Sequence, residues 1–200
     1  MTITIGCILL AAGQSRRFGG DKRQVRLADG STLLDASIER YRSSFDELIL
    51  VLRPGETAAP RTGIIVVESP DAAKGMGHSL AAGAHAAETR GWSGAFVALA
   101  DMPFVSATTL TTLKHALGQR LHGGRPVIVQ PALQGADGRV EPGHPVGFSD
   151  DLLPELGTLG GDSGARDVIR RHADCRFTVL VTDPGVVQDV DQPHQLPRES

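Results

Sequence analysis

Cysteine is nearly missing from this chain. It has two, Cys7 and Cys175, without C-x-x-C spacing. That excludes a zinc ribbon and a disulfide framework, and Cys7, set in an apolar run, reads as a small buried hydrophobe. A reducing, cytoplasmic home is the expectation. Positive charge is not in excess either. The net charge is −3, so the basic footprint of a nucleic-acid-binding surface is absent. No run reaches the roughly 20 apolar residues of a membrane span. The apolar stretch Ile3–Ala12 has no basic segment before it and ends at a glycine, which suits a strand feeding a turn rather than an export signal. Two phosphate-binding signatures are missing, G-x-x-x-x-G-K-[ST] and G-x-G-x-x-G, which excludes a P-loop and a dinucleotide fingerprint. No Ser-His-Asp or Cys-His pattern stands out, and the seven histidines make no ligand set. Neither a nucleic acid nor a membrane is expected as a partner.

What is present suits one α/β domain. The chain has 200 residues, 40% of them hydrophobic, enough for a full core. Thr2–Leu10 is β-branched and continuously apolar, as in a strand buried on both faces. Leu33, Leu34, Ile38, Tyr41 and Phe45 recur at helical spacing. Strands are predicted at Glu47–Arg53, Gly63–Glu68, Gly94–Ala100, Pro126–Gln130 and Arg176–Thr182, with another at Val186–Val190. Helices are predicted at Ser79–Thr89, from Ser106 (the N-cap) to Gln119, and at Asp151–Leu156 and Gly164–His172. Residues 131–147, rich in glycine and proline, read as a long loop. Strands alternating with helices imply a mainly parallel sheet covered on both faces, a Rossmann-like three-layer α/β fold.

In such a sheet, ligands bind outside the carboxyl ends of the strands. Three polar elements fall there: the segment after the first strand, Asp101 after the Gly94–Ala100 strand, and Asp189 and Asp191 near the chain end. Gly13, Gly19 and Gly20 allow close backbone approach to a ligand. Backbone N–H groups of such a loop can cradle phosphate oxygens. Ser15 adds a hydroxyl, and Arg17 and Lys22 add positive charge. A solvated basic turn would have the same composition. Asp101, taken alone, is equally a turn or capping residue.

The run Leu-Ala-Ala-Gly-x-Ser-x-Arg-Phe-Gly-Gly-Asp-Lys from Leu10 to Lys22 resembles the signature of the MobA-like NTP transferases. Within them it is most similar to the molybdenum cofactor cytidylyltransferases. Further matches follow in order: Gly75-Met-Gly-His-Ser-Leu80, Leu99-Ala-Asp-Met-Pro103, Gly143-His-Pro-Val146, Gly161-Asp-Ser-Gly-Ala-Arg166 and Asp189-Val-Asp-Gln-Pro193.

The resemblance implies a nucleotide-diphospho-sugar-transferase-like fold, with a single NTP-transferase domain over residues 1–195 and a flexible tail at 196–200. It implies a Mg²⁺-dependent transfer of CMP from CTP to molybdenum-molybdopterin cofactor, giving molybdopterin cytosine dinucleotide and pyrophosphate. A molybdenum hydroxylase would be the recipient. Asp101 and Asp191 would hold the metal, with Asp189 the competitor of Asp191. Lys22, Arg17 and Asp101 would be catalytic, Lys22 neutralising the triphosphate and Arg17 clamping its oxygens. Leu10, Ala11, Ala12, Gly13, Ser15, Gly77 and Ser79 would complete the nucleotide site. Ala12, where the guanylyl branch has glycine, points to cytosine. His144 and Arg166 would lie on the second-substrate side; a surface histidine beside a proline turn and an arginine decorating a helix start are their plain alternatives.

Some positions depart from the family's pattern. Gln192 and His194 flank Pro193 where Thr and Glu are usual, and Ser69 stands where Asn is common. Lys22-Arg23-Gln24 places charge where an apolar residue often follows the lysine, so the segment just beyond is expected to be more exposed than usual. Three other readings remain: a GTP- or other NTP-using relative, a non-catalytic molybdenum cofactor chaperone, and a nicotinamide dehydrogenase. Intact Lys22, Asp101 and Asp191 speak against the chaperone. The missing dinucleotide fingerprint speaks against the dehydrogenase.

Overall fold

A computed structural model describes residues 3–13, 18, 20–56 and 62–190. In chain order the elements are β1 (Ile5–Leu10), α1 (Leu33–Arg42), β2 (Leu48–Leu52), β3 (Ile64–Glu68), α2 (Met76–Thr89), β4 (Gly94–Leu99), α3 (Ala107–Gly118), β5 (Ile128–Gln134), β6 (Val140–Pro142), β7 (Val146–Ser149), α4 (Leu153–Leu156), α5 (Arg166–Arg171) and β8 (Arg176–Val181). The strands form one mixed sheet in the order β3-β2-β1-β4-β7-β5-β6, with β8 beside β5. β3, β2, β1 and β4 run parallel, as do β5 and β8, while β7 and β6 are antiparallel to their neighbours. This is the nucleotide-diphospho-sugar transferase fold.

The continuous apolar runs work because both faces are covered. Along β1, Cys7 and Leu9 enter one core and Ile8 and Leu10 the other, as the two-residue period of a strand requires. β2 and β4 divide in the same way: Leu48 and Leu50 go with Phe96 and Ala98, while Ile49 and Val51 go with Ala95 and Val97. The first core is closed by Ile38 and Tyr41 of α1 and Leu110 and Leu113 of α3. The second is closed by Leu80 and Ala84 of α2, Leu153 and Leu156 of α4, and Val168 of α5. Gly83 lets α2 lie close on the sheet, since a Cβ there would run into the side chain of Ile8 and meet Val51 at 3.1 Å. β1 leads through α1 to β2 on one side, while α2 crosses back to β4 on the other. A crevice therefore opens between the carboxyl ends of β1 and β4.

Two expectations need correction. Residues 131–147 are not a loop. β5 runs on to Gln134, turns at Asp137-Gly138 (Gly138 φ 79°) and returns as β6 before β7 begins at Val146. The Asp-Gly pair was the hairpin signal within that glycine- and proline-rich stretch. Pro131 sits where β5 passes from β7, paired at Ile128 and Val129, to β6, paired from Ala132. A residue without an N–H is tolerated at such a change of partner. Val186–Val190 is not a strand but the end of a 3-10 turn and an irregular path, with Val186 and Val190 fully buried. Just beyond the Lys22–Gln24 turn, Val25 and Leu27 are half-buried and Arg26 and Ala28 exposed, while Arg23 itself is buried. The tail at 196–200 lies outside the described residues.

Candidate active site

The crevice holds a cavity of about 480 Å³, bordered by Leu10–Gly13 after β1, Leu99–Asp101 after β4, Lys22, and the start of α2 with Ser79. Lys22 sits in a single 3-10 turn, Lys22–Gln24, whose N-cap is Asp21. Its Nζ donates to Asp101 Oδ2 at 2.6 Å, and both side chains are largely withdrawn from water. The other oxygen, Asp101 Oδ1, is buried without a hydrogen-bond partner.

Asp101 is held by its neighbours. The buried Ser37 hydroxyl on α1 donates to the Ala100 carbonyl at 2.7 Å, and Tyr41 one turn later donates to the Met102 carbonyl at 3.2 Å. Burial pushes the Tyr41 phenol well above its ordinary range, so it stays a donor. The Asp101 carbonyl accepts from Val190 N–H at 2.9 Å, which brings the end of the described chain to the same place. That C-terminal path is fixed by Asp183, which accepts from Ser106 N–H (2.8 Å), the Thr109 hydroxyl (2.7 Å) and Gly185 N–H (2.9 Å).

Among the nucleotide-site residues expected from sequence, Leu10, Ala11, Ala12, Gly13, Lys22, Ser79 and Asp101 are brought together around this cavity. Ser15, Arg17 and Asp191 lie outside the described residues. Gly77 is placed elsewhere: its N–H is given to the Gly161 carbonyl at 2.8 Å, and a Cβ would lie 2.5 Å from the Gly160 oxygen. It packs the start of α2 against the Gly160–Gly161 turn instead of facing the cavity. Ala11 likewise has both backbone groups engaged, N–H to Val51 O (2.9 Å) and C=O from Arg23 Nη1 (2.8 Å). Ala12 and Gly13 are left to offer backbone to a ligand.

His144 and Arg166 are not among the residues bordering the cavity. His144 is half-buried, its N–H bonded to Val186 O at 2.7 Å and its Nδ1 without a partner. Its pKa is lowered, mainly by burial and further by the charge of Arg166; Asp101 and the Val97 backbone oppose this. The site residues that sequence reasoning missed are Ser37, Tyr41, Asp183, Arg23 and Asp162, the last at the cavity rim. Ser37 did carry a signal, being polar on the apolar face of α1, four residues before Tyr41. Arg23 is held above its ordinary pKa, because its bonds to Glu56 and Asp21 outweigh the lowering effect of burial.

The MobA-like NTP transferase domain matches residues 7–175. The chain belongs to that family. The chain is similar to the molybdenum cofactor cytidylyltransferase of Escherichia coli, 26% identical with 94% of this chain and 92% of that one covered. Nicotine blue oxidoreductase of Paenarthrobacter nicotinovorans is 30% identical (96% and 94% covered), and purine catabolism protein PucB of Bacillus subtilis is 29% identical (94% and 92%). The solved Rv0371c of Mycobacterium tuberculosis superposes with a TM-score of 0.72 at 27% identity, covering 98% of this chain and 96% of that one. A manganese complex of Rv0371c also matches, with a TM-score of 0.66, 26% identity, and 90% and 89% covered. Within the family this chain is a nucleotidyltransferase, and the cavity at the ends of β1 and β4 is its candidate active site. Among the described residues, no helix is long and apolar enough to cross a membrane.

Proposed function

We propose that the chain transfers CMP from CTP to molybdenum-molybdopterin cofactor, giving molybdopterin cytosine dinucleotide and pyrophosphate. The observation that carries this reading is the Lys22–Asp101 pair in the cavity wall, with Asp101 Oδ1 left unpartnered. A buried carboxylate oxygen with no donor is a fit for a hard divalent cation, which takes one or two carboxylates and completes its shell with phosphate and water. Among the described residues no group of three or more acidic, histidine or cysteine side chains could hold a metal. Asp101 and Asp191 would be the protein ligands of Mg²⁺, which would neutralise charge on the triphosphate. The manganese complex of Rv0371c supports a divalent requirement.

The chain's own residues bind and orient. The backbone of Ala12 and Gly13 meets the base, with the Ser79 hydroxyl beside it. The small, buried Ala12 favours cytosine by shape, a preference of about 1–3 kcal/mol. Lys22 neutralises the triphosphate, and Arg17 and Ser15 hold its oxygens. A phosphate oxygen of the acceptor attacks the α-phosphorus of CTP, the bond from that phosphorus to the bridging oxygen breaks, and pyrophosphate leaves with the electron pair. No side-chain nucleophile is needed, because such chemistry rests on positioning and charge. His144, between β6 and β7 and within the charge of Asp101 and of Arg166 at the start of α5, faces the acceptor together with Arg166. A molybdenum hydroxylase is the recipient of the product.

The test is pyrophosphate release with molybdenum cofactor, Mg²⁺ and each NTP in turn. CTP-specific release is expected. GTP-specific release moves the assignment to a guanylyl-type relative, and binding without turnover of any NTP favours a cofactor chaperone. Chelation of the metal should stop release, and added Mg²⁺ or Mn²⁺ should restore it.

A further inference from the structure

Arg23 is 6% exposed, in the wall of the cavity. Each of its five N–H donors has an acceptor. Nε donates to Asp21 Oδ1 (2.8 Å), Nη2 to Asp21 Oδ2 and Glu56 Oε1 (2.6 Å each), and Nη1 to Glu56 Oε2 (2.7 Å) and the Ala11 carbonyl (2.8 Å). Arg53 balances the charge, with Nε on Glu56 (2.8 Å) and Nη2 on Asp21 (3.2 Å). Three segments thus meet on one side chain: the strand end carrying Ala11–Gly13, the turn carrying Lys22, and the connection after β2 carrying Glu56.

Stability alone does not account for this arrangement. A desolvated ion pair roughly breaks even against an apolar side chain of similar size. What an apolar residue cannot supply is the directional bond to the Ala11 carbonyl. A lysine would lack the rigid fork that serves two carboxylates and a carbonyl together.

We infer that Arg23 is a positioning residue of the nucleotide site. It keeps the Ala11 carbonyl turned into the protein and fixes the Lys22 turn to the end of β1. The base then meets Ala12 and Gly13, and the triphosphate meets Lys22, at one set spacing. This rests on the nucleotide reading above.

The experiment compares wild type, Arg23→Lys and Arg23→Met. It measures calorimetric binding of CTP and of GTP, each with Mg²⁺, together with steady-state kinetics and unfolding temperature. Arg23→Met should weaken binding of the preferred NTP at least 10-fold and raise its KM by a similar factor, with Arg23→Lys in between. A lowered unfolding temperature with an unchanged KM in the folded enzyme is what a structural role gives, and it overturns the inference. If Arg23→Met does not accumulate folded, Arg23→Met/Glu56→Gln removes one charge of each sign and carries the same comparison. Wild type binding neither CTP nor GTP would defeat the nucleotide reading and this inference with it. Wild-type binding matched by the variants defeats the inference alone.

Discussion

Replacing Ser37 by alanine tests whether the carbonyls flanking Asp101 set its position. The Ser37 hydroxyl is fully buried and reaches 63 residues along the chain to Ala100 O at 2.7 Å. Its loss leaves a buried carbonyl without this donor, at a cost of about 1–3 kcal/mol. Alanine returns about 0.5 kcal/mol as the better helix former, so the net loss is about 1–2 kcal/mol. For a chain of this length that lowers the unfolding temperature by about 3–6 °C. Tyr41→Phe, removing the longer bond to Met102 O (3.2 Å), should cost about 0.5–1.5 kcal/mol. Both bonds hold the peptides on either side of Asp101, and neither residue borders the cavity. The double variant should therefore lower kcat about 10-fold, equivalent to about 1.4 kcal/mol, with the KM for CTP within about two-fold. Denaturant unfolding and pyrophosphate release measure the two effects. If the double variant unfolds within about 0.5 kcal/mol of wild type and keeps wild-type kcat, the anchoring argument is wrong.

Asp101→Asn should stay folded yet lose turnover by at least about 100-fold, the scale of a removed electrostatic contact to a transition state; wild-type rates would refute the role of the carboxylate. Asp183 gives a pH prediction. Burial raises its pKa, but the bonds from Ser106, Thr109 and Gly185 outweigh burial and leave it lowered. A carboxyl depressed in the folded state contributes stability that is full above its unfolded pKa, about 3.9, and is lost as pH falls through the folded value. Denaturant midpoints of wild type and Asp183→Asn should therefore converge as pH drops below about 4, and a gap that is constant with pH would exclude this cause. His144→Asn should raise the KM for the molybdenum cofactor several-fold and leave that for CTP unchanged; the reverse pattern would move His144 to the nucleotide side.

The parallel half of the fold was legible because its strands are buried on both faces. Runs such as Ile5–Leu10 and Leu48–Leu52 carry no polar interruption, so their state followed from composition. The β5–β6 hairpin was hidden because β6 is exposed throughout and its composition is that of a loop. Lys22 and Asp101 stood out as charges at predicted strand ends. Ser37 and Tyr41 did not, because their meaning lies in bonds to carbonyls 61 and 63 residues away. Arg23 went unread as a site residue for a related reason: its meaning lies in Asp21 and Glu56, which only the fold brings around it. Gly77 was expected to offer its backbone to the nucleotide, and only the fold shows its N–H given to the Gly161 carbonyl.

The site lies on the seam between the two halves of the sheet, and this placement bears on the chemistry. β1 and β4 belong to the parallel half, and the turn carrying Lys22 closes on that side. β4 is also where the sheet changes direction, because β7 runs antiparallel to it. Asp101 follows β4 directly. Its carboxylate pairs with Lys22 from the first half, its carbonyl is bonded by Val190 from the C-terminal segment, and His144, between β6 and β7, feels its charge. A transferase must hold two substrates so that neither fills the space of the other. Asp101 is the residue tied to both halves, and its second carboxylate oxygen is buried without a hydrogen-bond partner. On the proposed reading the β6–β7 segment serves the acceptor, while α1 holds the peptides around Asp101 and Arg23 holds the Lys22 turn to the end of β1.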